Sequence, residues 1–331
     1  MSRGSARFSR RTALGALGAW VTTSAALGQT PLSDPGDWPV IDPAVLELLP
    51  NQMTRMAVPV SVNGQGPFYF VVDTGANRTS IAASLAAQLG LPRGPDVVVH
   101  GIASAELTPT AQVDVLGVGP SRFRRMDTPL FPRARLGADG LLGVDALGGF
   151  RLVFEMAEGR LVMALSERTT AWGAGRASRL RRLGAVRGRQ RFGQLTVIDV
   201  WVDGVRVVAF VDTGSQYTIG NVALFEAIGA RRPELAGSGL GVPIVGVTGQ
   251  RSRGQVATVR HIDLAGRDLL ETPVIFADLH AFDVWGLGDR PSLLLGADVI
   301  GRMRFVELDF GLTEIQFGPV TQLRPRRGER G

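Results

Sequence analysis

Two Asp-Thr-Gly triplets, Asp73-Thr74-Gly75 and Asp212-Thr213-Gly214, stand 139 residues apart in a chain of 331. One such triplet says little, because an aspartate that ends a strand with glycine behind it is a common turn. The doubling says more. Each copy follows an apolar run, Phe68-Tyr69-Phe70-Val71-Val72 or Val207-Val208-Ala209-Phe210-Val211, and each continues with a small residue, Ala76 or Ser215. Two carboxyl groups held roughly 3 Å apart cannot both ionise, so they share a proton and their titrations split. The charged member can then take a proton from water while the protonated member donates toward a carbonyl oxygen. Such a dyad titrates as one unit, so neither aspartate is assigned the proton. Gly75 and Gly214 suit the task because a residue without Cβ lets the backbone approach a carboxylate. Thr74 and Thr213 each bring a hydroxyl that can bond across or beneath the pair. Ser215 has a hydroxyl that could reach the ionised carboxylate, whereas Ala76 has none, which points to a mildly acidic optimum.

Other chemistries find less to work with. The chain has no cysteine, which removes disulfides, thiolate nucleophiles and cysteine–zinc sites. His100, His261 and His280 lack the spacing of a metal site or a triad and are expected to be structural or surface residues. Asp145 and Asp298 stand at the start of short helices, where a carboxylate suits the exposed N–H groups, and are expected to cap them. No phosphate-binding glycine pattern is present. No metal and no cofactor is expected.

The elements that must position the two acids are repeated as well. Val62-Asn63-Gly64 leads into the first triplet and Val202-Asp203-Gly204 into the second. Downstream, Leu141-Leu142-Gly143-Val144-Asp145 is answered by Leu294-Leu295-Gly296-Ala297-Asp298, and each runs into an alternating segment, 151–155 and 304–309. Short helical stretches follow each triplet at 82–89 and 222–228. Elsewhere β-branched runs are broken by the 43 glycines and 19 prolines, which favours many short strands over long helices. The expected organisation is an export segment at 1–28, an N-terminal segment at 29–52, a first lobe at 53–168, a basic linker at 169–190, a second lobe at 191–319 and a basic tail at 320–331.

With these residues in hand, the chain resembles the aspartic peptidases, and its halves are more similar to the retroviral-type unit than to a pepsin lobe. Asp73-Thr74-Gly75-Ala76-Asn77 and Asp212-Thr213-Gly214-Ser215 carry the resemblance, together with Leu141-Leu142-Gly143 and Leu294-Leu295-Gly296. The resemblance covers roughly 55–165 and 195–318. It implies an all-β fold of two closed β-barrel lobes facing across a cleft, with one catalytic aspartate from each. It implies that the apolar-apolar-Gly segments support the catalytic loops from beneath, with Thr74, Gly75, Ala76, Thr213, Gly214 and Ser215 forming those loops. It also implies a hairpin flap, for which Gly101-Ile102-Ala103-Ser104 and Gly246-Val247-Thr248-Gly249 are the candidates; a plain turn accounts for either segment equally. Neither carries a tyrosine, which departs from the pepsin pattern.

The net charge of +6 is concentrated outside the lobes. Arg3, Arg7, Arg10 and Arg11 precede residue 28, seven arginines lie between 176 and 191, and Arg324, Arg326, Arg327 and Arg330 close the chain. Without aromatic interleaving or a nucleic-acid motif, these runs read as solvated linker and tail, and no nucleic-acid partner is expected. Ser9-Arg10-Arg11-Thr12-Ala13-Leu14 followed by an Ala-rich apolar stretch has the layout of an export signal resembling the twin-arginine type, with Ala13 where that pattern usually has Phe. The expected product is a periplasmic or secreted endopeptidase acting on extended peptide or protein, working as a monomer and without a lasting membrane anchor. The alternatives are a double β-barrel that holds peptides without cutting them, and a chain whose halves pair with those of a second copy.

Overall fold

Each half opens on a β-hairpin whose turn chemistry is written in its sequence. Asn63 and Gly64 lie at φ 49° and 79°, and Asp203 and Gly204 at φ 46° and 76°. Two successive residues with positive φ make the tight turn that matches strand twist, and Asn-Gly and Asp-Gly are the pairs that tolerate it. The computed structural model describes residues 44–47, 49–50, 55–166, 185–191, 194–235 and 240–321. The expected export segment and most of the basic linker and tail lie outside the described residues.

The first lobe is an eight-stranded sheet in the order Leu49–Pro50, Met56–Val62, Gln65–Val72, Gly140–Leu142, Ser80–Ala82, Ser121–Phe131, Ala105–Val118 and Arg93–His100. Met56–Val62 also pairs with Ala105–Val118, which closes the sheet on itself. The second lobe repeats the order with Arg189–Arg191, Gln194–Val202, Val205–Val211, Ser292–Leu295, Ile219–Gly220, Asp268–Ala277, Arg251–Leu264 and Leu240–Val245. Gln194–Val202 closes on Arg251–Leu264 in the same way. The fold is all-β, two barrel-like lobes, with short helices such as Ala83–Gln88, Val144–Leu147, Val222–Gly229 and Ala297–Ile300 after the triplets and the apolar-Gly segments.

One arrangement within each lobe decides where the acids go. The strand that ends in the triplet runs parallel to the apolar-apolar-Gly strand: Phe70, Val71 and Val72 face Gly140, Leu141 and Leu142, and Phe210 and Val211 face Leu294 and Leu295. The N–H groups of Asp73 and Asp212 extend these ladders, each donating at 3.0 Å to Leu142 and Leu295. Where these strands run side by side, at Phe70, Val71 and Val72 with Gly140–Leu142 and at Phe210 and Val211 with Leu294 and Leu295, both faces are buried and the sequence reads as a continuous apolar run.

A third sheet joins the halves. Its order is Ala44–Glu47, Arg160–Leu165, Phe150–Glu155, Phe305–Asp309, Glu314–Phe317 and Ala185–Arg187, so strands of both halves meet at the Phe150–Glu155/Phe305–Asp309 seam. Here the period is two: Phe150, Leu152 and Phe154 are buried, as are Val306 and Leu308 opposite them and Ile315 and Phe317 on the next strand. Each such side chain contributes about 1.5–3 kcal/mol relative to exposure, which makes the seam a firm hinge between the lobes. Parts of the expected N-terminal segment and linker are strands of this sheet and of the lobes. No helix among the described residues is long and apolar enough to cross a membrane.

Candidate active site

The two triplets face each other within one chain. Asp73 Oδ1 accepts the N–H groups of Gly75 at 3.0 Å and Ala76 at 2.9 Å; Asp212 Oδ1 accepts those of Gly214 at 2.9 Å and Ser215 at 3.1 Å. Each carboxylate is thereby oriented by its own loop. The loops are seated in turn: Ala76 and Ser215 accept, through their carbonyls, the N–H groups of Val144 and Ala297, each at 2.8 Å.

The threonines cross between the lobes. Thr74 Oγ1 donates to the Val211 carbonyl at 2.7 Å, and Thr213 Oγ1 donates to the Val72 carbonyl at 2.6 Å. In return, the Thr213 N–H donates to Thr74 Oγ1 at 3.1 Å and the Thr74 N–H to Thr213 Oγ1 at 3.2 Å. Both side chains are buried, so each hydroxyl uses its donor and an acceptor in a closed ring. The glycines set the approach. A Cβ at Gly75 would lie 2.5 Å from Asp212 Oδ1, and one at Gly214 would fall on the Asp73 carboxylate.

Each carboxylate packs against the glycine of the opposite triplet, and the two acids influence each other's titration. Burial raises both above the ordinary carboxylate range. Asp212 is pushed up to about 7, first by burial and then by the charge of Asp73. Burial and mutual repulsion thus disfavour the state in which both acids are charged, and the two titrate as one unit. A cation stands beside them. Arg55 is only 5% exposed, donates from Nη1 to the Gly214 carbonyl at 3.1 Å and from Nη2 to the Leu136 carbonyl, and opposes the rise of both acids.

The structure corrects one expectation. Ser215 Oγ donates to the Tyr217 carbonyl at 2.8 Å, and only the Ser215 backbone reaches Asp212. The reason is local: the hydroxyl finds a carbonyl two residues on, as serine in a turn often does. The acidic optimum argued from that hydroxyl therefore loses its basis. Asp145 and Asp298 do bind first-turn N–H groups as expected, those of Ala146 at 2.9 Å and Val299 at 2.8 Å, although the cap positions themselves belong to Gly143 and Gly296. Their carboxylates also accept from Thr79 Oγ1 and Thr218 Oγ1, each at 2.7 Å, while those hydroxyls accept from Gly143 N–H at 3.0 Å and Gly296 N–H at 3.1 Å. The two halves thus share a buried brace beneath each triplet loop.

The segments considered for a flap are hairpin tips. Gly101, Ile102, Ala103 and Ser104 join Arg93–His100 to Ala105–Val118, and Gly246, Val247, Thr248 and Gly249 join Leu240–Val245 to Arg251–Leu264. The tips engage one another. Gln250 Oε1 accepts from Ala103 N–H and Ser104 N–H, both at 3.0 Å, and Gln250 Nε2 donates to Ser104 Oγ at 2.8 Å. The His280 N–H donates to the Ile102 carbonyl at 2.8 Å, and Arg135 Nη1 to the Thr248 carbonyl at 2.7 Å. His100 and His280 meet across the lobes at 3.2 Å, and His261 pairs with Asp268 at 2.7 Å, exposed contacts in keeping with the structural or surface roles expected of them. Among the described residues, no group of three or more His, Asp or Glu is placed to hold a metal ion.

Sequence reasoning missed Arg55, Thr79, Thr218, Arg135 and Gln250. For Thr79 and Thr218 a signal existed, since each stands six residues after its triplet aspartate, in register in the repeat. A family model described as aspartyl protease matches residues 58–146 and 198–299, more than half of the chain and a segment in each lobe. No curated protein matches the chain.

Proposed function

The chain belongs to the aspartyl protease family, and from that premise we propose that it is an endopeptidase in which Asp73 and Asp212 share one proton over an attacking water. The observation that carries this reading is the reciprocal threonine ring, which ties the two triplets of a single chain face to face. In the proposed step, the ionised carboxylate takes a proton from the water as its oxygen attacks the scissile carbonyl carbon. The protonated carboxyl gives its proton to the carbonyl oxygen, which yields a neutral gem-diol. Collapse returns a proton to the departing amine and restores the shared one. No metal or nucleophilic side chain is needed, because the dyad supplies both the base and the acid.

The engaged hairpin tips support a cleft that closes over an extended substrate. An extended peptide can offer backbone hydrogen bonds for affinity and alternate side chains for specificity. Both acids come from the same chain, which supports a monomeric working form. The basic, Ala-rich first 28 residues support export, and hence action outside the cytoplasm.

The test is direct. The purified chain is incubated with a library of extended peptides from about pH 3 to 8, with and without a statine-type transition-state analogue. The expected result is internal cuts with a bell-shaped pH dependence, all blocked by the analogue. Peptides that bind but stay whole across that range would make the protein a binding module instead.

A further inference from the structure

A buried dyad holding one proton carries a full negative charge, and a buried charge without a counter-charge is costly. Arg55 supplies one positive charge at the same place. Its guanidinium is buried, and it is fixed by two carbonyls that belong to the site's own frame: Gly214, the glycine packed against Asp73, and Leu136 of the short helix Arg133–Leu136. The arginine is supplied by one half only. At the matching place in the repeat, judged by the hairpin registers, the second half carries the uncharged Gln194. With Arg55 as its cation among the described residues, the site is neutral when the dyad holds one proton, and is unbalanced when it holds two or none.

We infer that Arg55 is a positioning residue that holds the Gly214 turn against Asp73 and, through its charge, selects the singly protonated dyad as the stable state of the site. This deepens, and rests on, the catalytic reading of Asp73 and Asp212. Among the described residues, the charged groups acting on Arg55 are those two aspartates, and the other groups on Asp73 and Asp212 are backbone N–H groups of Gly75, Ala76, Gly214 and Ser215. Two further cations on the helix bearing Leu136 are engaged elsewhere, Arg133 with Asp139 and Arg135 with the Thr248 carbonyl. Burial works against the Arg55 charge, and Asp73 and Asp212 support it. A guanidinium in such a place stays protonated.

The sign of the effect follows. Arg55 stabilises the ionised carboxylates, so its charge lowers both steps of the dyad's titration. Removing the charge lifts both limbs of the pH–kcat/KM bell. An opposite charge at this range is worth about 1–2 pH units.

The experiment compares Arg55→Met, Arg55→Gln and Arg55→Lys with wild type. Met and Gln are expected to move both limbs to higher pH by about 1–2 units, and Lys to keep the bell within about half a unit of its original place. Gln retains a donor for the Gly214 carbonyl, so a bell that Gln leaves in place would overturn the charge role. So would Met and Gln bells that are lower at every pH but unmoved. Where Arg55→Met fails to fold, Gln and Lys carry the comparison.

A second measurement needs no substrate. The free energy of unfolding is followed against pH in wild type and Arg55→Gln. Asp73 and Asp212 are raised in the folded state, so their contribution is complete below the unfolded value of about 3.9 and is lost as pH rises through the folded one, about 7 for Asp212. Without Arg55 the decline should continue to higher pH, and a decline over the same window as wild type would contradict the inference. An inactive wild type, or an Asp212→Asn variant that still cuts, would sink the catalytic reading alone and leave this curve to judge Arg55.

Discussion

Asp73→Asn and Asp212→Asn should each reduce cleavage of an unfolded test protein by about 10³-fold or more, and leave the chain folded. Asparagine is nearly the size of aspartate, and its Oδ1 can still accept the loop N–H groups of Gly75 and Ala76, or of Gly214 and Ser215. What it cannot do is exchange a proton with water or with its partner. Stability near neutrality should hold or rise. A carboxyl whose folded-state titration is pushed up to about 7 weakens the fold as pH climbs toward that value, and asparagine removes that cost. Circular dichroism with a cleavage assay gives both readouts. Full activity in either variant would end the assignment.

Gly214→Ala should be nearly as severe by a different route. Its Cβ would fall on the Asp73 carboxylate, which is anchored by two N–H groups on its own loop and by the ladder bond to Leu142. Neither side yields cheaply, so the triplets must part. An expected cost of about 1–3 kcal/mol in stability comes with a loss of roughly 10²–10³-fold in kcat, since about 1 Å of misplacement at reacting groups has effects of that size. Gly229→Ala is the control: it closes the helix Val222–Gly229 with open space around it, and should be neutral to slightly stabilising. Equal effects at both glycines would show that the close approach at Gly214 is not what matters.

The parts of this molecule that were legible in its sequence are those with short-range grammar. The Asn63-Gly64 and Asp203-Gly204 turns, the apolar runs before each triplet and the Leu-Leu-Gly strands were all readable, because turn dihedrals and double-sided burial leave local marks. Their doubling made the two-lobe architecture readable too. The joining sheet was not. Ala44–Glu47 pairs with Arg160–Leu165 and Phe150–Glu155 with Phe305–Asp309, and strand pairing over such separations leaves no local pattern.

At the site, the aspartates and their crossing threonines were nameable in advance, whereas Arg55 was not. Among 36 arginines it looks like any other, and only the meeting of the two halves brings a residue 18 positions before Asp73 under the opposite triplet. Gln250 is hidden for the same reason, since its partners Ala103 and Ser104 belong to the other half. Ser215 failed differently, since several partners lay in reach of its hydroxyl and packing of the loop chose the Tyr217 carbonyl, while Asp145 and Asp298 bind first-turn N–H groups as read and the added threonine partners went unseen.

The most direct measurement is a titration of the side-chain carboxyl carbons of 13C-labelled aspartate in the folded protein, with Asp73→Asn and Asp212→Asn used to assign the two signals. A shared proton predicts that one step falls near 7, well above the ordinary carboxylate range, and that removing either acid shifts the signal of the other. Two signals that titrate independently near 4, each indifferent to the loss of its neighbour, would contradict the account.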